Sequence, residues 1–158
     1  MIEYRRCREF TEEQLGGLFR SVGWYSGRFP ERLKKAMGNS SRVISAWDGE
    51  RLVGLIRGLD DGVWQASIDC LLVDPEYQGR KIASALLEML LEDYRELLYV
   101  DVVPDEKRNV GFYLKHGFEV MEEGTAMQIR GKGWDCAEKP ENSGIPHGTF
   151  HSAPGGFS

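Results

Sequence analysis

The 158-residue sequence predicts an α+β fold: one domain with a central, mixed and mostly antiparallel sheet flanked by about four helices. Three observations carry that prediction. Strand-like runs at residues 42–47 and 51–59 flank Asp48-Gly49, a strong hairpin-turn signal. A further run at 64–73 follows the turn Asp60-Asp61-Gly62, so three antiparallel strands are consecutive. Apolar residues at helical spacing over 81–94 then separate it from a Val- and Leu-rich run at 97–103. Strands joined through such a helix need a crossover to lie parallel, which sets the helix N-terminus beside strand ends, where ligands commonly bind.

The remaining elements complete the order β-α-α-β-β-β-α-β-α-β-β. Residues 2–7 read as a short first strand. Thr11 with Glu13-Gln14 behind it marks a helix N-cap, and Leu15, Leu18, Phe19 and Val22 recur at helical spacing. Gly23-Trp24-Tyr25-Ser26-Gly27 ends that helix as a loop expected to expose two aromatics. Pro30 opens a second helix running to about Met37, closed by Gly38-Asn39. Residues 109–115 form a short helix terminated by Gly117, and 118–121 with 125–130 read as a last strand pair. After about Gly131 glycine and proline become frequent and apolar periodicity disappears. Residues 1–130 are therefore expected as the domain. Residues 131–158 are expected as an irregular tail, mobile or packed on another subunit, with Trp134, Ile145 and Phe150 as its anchors.

Composition narrows the function classes. A hydrophobic share of 41% and a charged share of 28% are those of a soluble globular protein. With a net charge of -5 and no basic run, a nucleic-acid partner is not expected. Cys7, Cys70 and Cys136 are odd in number and widely spaced, which favours a reducing compartment over a disulfide framework. The N-terminus lacks the apolar core of a signal peptide, and the longest apolar stretch, 85–91, is too short to cross a bilayer. A cytoplasmic protein without a membrane partner is the expectation. His147, His151 and Cys136 show no tight ligand spacing, so no metal is expected. Neither a Gly-Lys-Ser/Thr phosphate loop nor a Gly-x-Ser-x-Gly nucleophile elbow is present.

The chemistry concentrates between residues 68 and 91. The apolar run Ile68-Asp69-Cys70-Leu71-Leu72-Val73 enters the turn Asp74-Pro75-Glu76-Tyr77 and reopens through Gln78-Gly79-Arg80-Lys81 as a helix. A strand feeding a helix through such a turn aims several unbonded backbone N–H groups at one point, and with the helix dipole they suit a phosphate.

The stretch Leu71-Leu72-Val73-Asp74-Pro75-Glu76-Tyr77-Gln78-Gly79-Arg80-Lys81-Ile82-Ala83 resembles the acetyl-CoA signature Gln/Arg-x-x-Gly-x-Gly/Ala of the GNAT superfamily of N-acetyltransferases. Downstream, Asn109 followed by Phe112-Tyr113-x-Lys115-x-Gly117-Phe118 resembles a second motif of that family, in the same order and at the usual separation. The resemblance covers roughly residues 1–130. It implies acetyl-CoA as acyl donor and a primary amine of a small molecule or peptide as acceptor, with direct attack in a ternary complex. The oligomeric state stays open, with sheet-edge pairing in so small a domain as a route to a homodimer.

The resemblance further assigns roles. Backbone N–H groups of Gly79, Arg80, Lys81, Ile82, Ala83 and Ser84, after Gln78, would hold the pyrophosphate, and Arg80 and Lys81 would help to neutralise it. Lys81 stands where the first glycine of the signature is usual. A position demanding left-handed backbone would be strained by lysine; the preferred alternative is a plainly helical Lys81. Backbone groups of Leu71 and Val73 would pair with pantetheine, and the N–H of Leu71 or Leu72 would polarise the thioester carbonyl. Asn109 matches the residue that contacts the pantetheine arm, beside Phe112, although a helix N-cap would look the same. Tyr113 is the expected acid, placed to protonate the departing thiolate, with a half-buried helix tyrosine as its plain alternative.

The acceptor side rests on fewer residues. Asp69 lies two before Leu71, so strand alternation predicts one shared face, where Asp69 would take the amine's proton directly or through water. A carboxylate in an apolar strand needs a partner, by function or by a salt bridge. Trp24 and Tyr25, near Arg28 and Phe29, resemble the family's acceptor loop and would line a substrate pocket, or merely cap the core. Two further classes stay open: a non-catalytic acyl-CoA-binding regulatory module, and an interaction protein assembled through its tail.

Overall fold

The computed structural model describes residues 1–104 and 106–129. Five strands lie side by side in chain order: β1 (Ile2–Arg6), β2 (Arg42–Asp48), β3 (Arg51–Asp60), β4 (Gln65–Val73) and β5 (Tyr99–Val102). The first four are antiparallel to their neighbours, and β5 runs parallel to β4. Four helices flank them: α1 (Glu12–Ser21), α2 (Pro30–Asn39), α3 (Ile82–Asp93) and α4 (Val110–Lys115). The α+β architecture with a mixed, mostly antiparallel sheet is the predicted one.

Local chemistry starts and stops these elements. Thr11 caps α1 in a reciprocal box, its hydroxyl accepting from the Gln14 N–H while the Gln14 side chain accepts from the Thr11 N–H. Pro30 occupies the first turn of α2, where its missing N–H costs nothing. A two-residue loop, Gly49-Glu50, joins β2 to β3, with Asp48 opposite Arg51.

The sheet is buried on both faces, which is why β3 reads as a nearly continuous apolar run. Ile44, Val53, Ile56, Ile68 and Leu71 pack on one face with Leu86, Leu87 and Leu90 of α3. Val43, Leu55, Cys70 and Leu72 pack on the other with Leu15, Leu18 and Phe19 of α1 and Met37 of α2.

Two irregularities decide where a site can form. On β3 and β4, Arg57 faces Cys70 and Gly58 faces Ile68, so Asp69 is an extra residue with no opposite number, a bulge. The ladder between β4 and β5 ends just there, at Ile68 opposite Val102, while β4 continues to Val73.

The predicted last strand pair is not formed. Among the described residues, 118–121 and 125–129 have no ladder partner, and Val120, Met121, Met127 and Ile129 are exposed. Alternating apolar residues give a segment the means to lie on a sheet, but a strand exists only where an edge receives it. Arg130 and the tail, 131–158, lie outside the described residues, and with them Trp134, Cys136, Ile145, His147, Phe150 and His151. Among the described residues no helix is long and apolar enough to cross a membrane, and no cluster of metal-ligating side chains occurs.

Candidate active site

Beyond Ile68 the strands β4 and β5 part, and the fork exposes one edge of β4 backbone. From Leu71 to Val73 that backbone is paired with Gly54 to Ile56 of β3 on one side and with no strand on the other. Backbone groups left over at such an edge need a partner from outside the sheet. Leu71 and Val73, the residues expected to pair with pantetheine, are in this stretch, and so is Leu72.

The turn that follows is braced from its flank. The Asp74 carboxylate accepts from the Glu76 N–H at 3.0 Å and pairs with Arg51 at 2.8 Å. Arg51 also pairs with Glu76, and the two carboxylates together push its already high pKa further up. Tyr77 donates to Asp48 at 2.7 Å, and its ring carries Arg51 on one contact (5.2 Å) and Arg80 on another (4.8 Å). Gln78 closes the corner, its side-chain amide donating to the Val73 carbonyl at 3.3 Å.

Gly79 and Lys81 then turn the chain into α3. The first bond of that helix is Ala85 N–H to Lys81 C=O, so the N–H groups of Ile82, Ala83 and Ser84 emerge from its end without a helical acceptor. No side chain caps this end. The preferred expectation for Lys81 is corrected here: its backbone is left-handed, φ 61 and ψ 19, and not helical. It is the one non-glycine residue with positive φ among the described residues. The chain needs that conformation to fold the N–H groups of the turn back toward the helix mouth, and a lysine adopts it at a cost.

The last helix, α4, follows β5 in the chain. Asn109 precedes it, only 2% exposed, in right-handed helical backbone and without a capping hydrogen bond. Its Oδ1 is buried without a hydrogen-bond partner. An N-cap role is thereby replaced by an orphaned acceptor, and such an atom calls for a ligand or water. Phe112 and Tyr113 are buried in the same apolar cluster as Leu71, Ile82 and Ala83. Tyr113 meets Phe112 edge-on at 5.2 Å and Phe118 at 5.5 Å.

The acceptor side holds two corrections. Trp24 is not an exposed loop aromatic; it is 5% exposed and packs edge-on against Phe19 at 5.5 Å. The cause is the end of α1: Trp24 N–H donates to Phe19 C=O and Gly23 N–H to Arg20 C=O, a Schellman ending whose apolar contact folds Trp24 back onto the helix. Tyr25 is half-buried, in contact with Phe29 and beneath the Arg28 guanidinium, and of the two aromatics it is the one with surface to offer. The second correction concerns Asp69. The bulge resets the alternation, so Leu71 joins Ile68 in the core under α3 while Cys70 and Leu72 face α1 and α2. Asp69 and Leu71 therefore do not share a face by simple alternation.

Asp69 instead forms an ion pair with Arg57 of β3 at 2.8 Å, both side chains less than one-fifth exposed. Burial lifts the Asp69 carboxyl above the usual carboxylate range, and the Arg57 charge offsets that only in part. Arg57 was not among the expected site residues. Its signal was present: a lone arginine in the apolar run Leu52-Val53-Gly54-Leu55-Ile56, the counterpart of a lone aspartate in β4.

A parallel pair that forks beside an uncapped helix N-terminus, with an orphaned amide just before α4, leaves a set of polar groups open to a ligand. The sequence profile of the acetyltransferase (GNAT) family matches residues 5–118, and the chain belongs to that family. It is 33% identical over 150 residues to the chloroplastic GCN5-related N-acetyltransferase 2 of Arabidopsis thaliana, covering 80% of this chain and 55% of that one. To a histone acetyltransferase of Glycine max it is 33% identical over 135 residues, covering 76% and 55%. To the chloroplastic serotonin N-acetyltransferase 2 of Oryza sativa subsp. japonica it is 32% identical over 109 residues, covering 66% and 54%. The chain thus spans about half the length of the curated relatives it matches. Among solved structures, a GNAT-family acetyltransferase from Streptococcus pneumoniae superposes with a TM-score of 0.72 at 31% identity, over 84% of this chain and 99% of that one.

Proposed function

We propose that this chain transfers an acetyl group from acetyl-CoA to a primary amine of a small molecule or peptide by direct attack in a ternary complex. The observation that supports it most is that one domain combines a buried, orphaned Asn109 Oδ1 with unpaired β4 backbone beyond Ile68 and an uncapped start of α3. These groups fit coenzyme A: a diphosphate for the N–H groups of Gly79 to Ser84, and amides along pantetheine for Asn109, Leu71 and Val73. When bound, acetyl-CoA supplies an activated acyl carbon and a thiolate leaving group.

The chain's own residues do the rest. The Leu71 or Leu72 N–H donates to the carbonyl oxygen as it gains negative charge. The Tyr113 hydroxyl donates its proton to the leaving sulfur. Asp69 Oδ1 takes the proton of the acceptor amine, and its ion pair with Arg57 supports that reading. Tyr25 lines the approach of the acceptor, and Trp24 holds that loop from within. Relatives named as a histone acetyltransferase and a serotonin N-acetyltransferase support a peptide or small-molecule acceptor. Residence in the cytoplasm, a domain over residues 1–130 and a homodimer are parts of the same proposal.

The test is CoA release detected with a thiol reagent on a panel of phenethylamine, spermidine, glucosamine and an alanyl peptide, with product mass. Acetylated product from at least one amine is expected. Tight binding of CoA with no product from any amine favours the regulatory-module reading instead.

A further inference from the structure

Inside the sheet, where apolar residues line both faces, β3 and β4 each carry one charged side chain at the fork: Arg57 and Asp69. We propose that Arg57 is a positioning residue for acetyl transfer, fixing the Asp69 carboxylate at the acceptor side of the fork and keeping it ionised until the amine arrives. This rests on the acetyltransferase reading and goes beyond it by assigning a residue of β3 to the acceptor chemistry.

Three observations carry it. The bulge makes Asp69 the residue without an opposite number, at the very place where β5 leaves β4, so no residue directly opposite orients its side chain. The neighbour that does is Arg57, opposite Cys70, whose Nη1 reaches Asp69 Oδ2 at 2.8 Å. Second, Asp69 is the one carboxylate that Arg57 pairs with among the described residues, and the Arg57 Nε is buried with no partner. The guanidinium is thus committed to Asp69 while part of its own hydrogen-bonding capacity goes unused. Third, an ion pair so far from water adds little stability that two apolar residues would not supply, because desolvation offsets the attraction. Its value lies in what it does to the carboxylate.

The charges around Asp69 make the dependence explicit. Burial disfavours its ionised form, Arg57 favours it, and no other charged group of the described residues acts on it appreciably. In the proton step the N–H bond of the acceptor ammonium breaks and its electron pair stays on nitrogen. The proton forms an O–H bond on Asp69 Oδ1, and Oδ2 stays on Arg57. Without Arg57 only burial acts on the carboxyl, which shifts it further toward the protonated form that cannot accept.

The test compares wild type with Arg57→Met, Arg57→Gln and Arg57→Lys. Asp69 is followed by carbon-detected NMR of its labelled carboxyl, assigned with Asp69→Asn, and CoA binding by calorimetry. In R57M and R57Q the Asp69 titration is expected to move to higher pH, and the acid limb of kcat/KM for the best amine of the panel moves with it. Turnover at neutral pH falls about 10²-fold, the usual cost of a misplaced catalytic group, with CoA affinity unchanged. R57K, which keeps the charge, returns the titration toward wild type. Should R57M not fold, R57Q, which keeps a polar contact to Asp69, carries the comparison. An unmoved Asp69 titration, or an acid limb that stays in place, overturns the role of Arg57 while leaving the acetyltransferase reading intact. A wild-type protein that acetylates no amine overturns both.

Discussion

Gly79 and Lys81, one residue apart at the mouth of α3, both hold left-handed backbone, at φ 77 and φ 61. Glycine adopts it freely, whereas a residue with a Cβ pays about 1–2 kcal/mol. Replacing Lys81 by glycine relieves that strain and adds about 0.5–1 kcal/mol of unfolded-state entropy to be lost. The net expectation for K81G is a gain of about 0.5–1 kcal/mol in denaturant unfolding. G79A is expected to lose about 1–2 kcal/mol and to weaken CoA binding, since it strains the same turn from its other side. A destabilised K81G counts against strain at this position.

Asn109 makes a second test, because its buried Oδ1 has no partner in the protein alone. A buried polar atom without a hydrogen bond costs about 1–3 kcal/mol, so Asn109→Leu, of similar shape, is expected to leave the ligand-free fold as stable as before or more so. CoA affinity is expected to fall about tenfold, the loss of roughly one hydrogen bond. Denaturation with and without CoA separates the two effects. If N109L unfolds more easily without CoA and binds CoA as before, the residue is structural.

Much of this was legible in the sequence, and what was not has a common cause. Thr11 and Gln14 announced the start of α1, Asp48-Gly49 the hairpin, and the spacing of apolar residues over 81–94 the crossover helix that builds the fork. Each of those signals is contained in one segment. The bulge at Asp69 is not, because it arises from the register of β4 against β3, and neither strand's pattern alone records an extra residue. The error about its face and the omission of Arg57 follow from that one fact. The inward turn of Trp24, which settles it as a core-capping ring, is not legible although Gly23 marks the helix end, since the Schellman contact joins positions beyond the apolar repeat. Residues 118–129 show the converse: a strand-like pattern that forms no ladder among the described residues.

Tyr113 sits between Phe112 and Phe118 with its ring in edge contact with both. Phenylalanine at this position keeps those contacts and removes only the hydroxyl. Y113F is therefore expected to fold normally and bind CoA unchanged, while kcat falls about 10²-fold through loss of the acid. Undiminished kcat on the best acceptor removes Tyr113 from the proton transfer.

Gly58 lies under Tyr94, the last buried ring before β5, and a Cβ built there would stand 2.2 Å from the tyrosine oxygen and 2.9 Å from its ring. The ring has nowhere to go: its hydroxyl donates to Asp60 at 2.8 Å, Arg42 lies over its face at 5.3 Å, and burial with Asp60 pushes its pKa well up. Gly58→Ala is expected to cost about 1–3 kcal/mol, the usual range for overpacking a filled core. Because β3 carries Gly58 directly beside Arg57 and opposite Ile68, the same substitution disturbs the bulge at Asp69, and turnover should fall along with stability. A double-mutant cycle with Tyr94→Ala isolates the contact. Once the ring is gone the alanine at 58 has room, so the two costs should fall short of additivity by more than about 0.5 kcal/mol. Additive costs would place the strain of G58A in the β3 backbone and not against Tyr94.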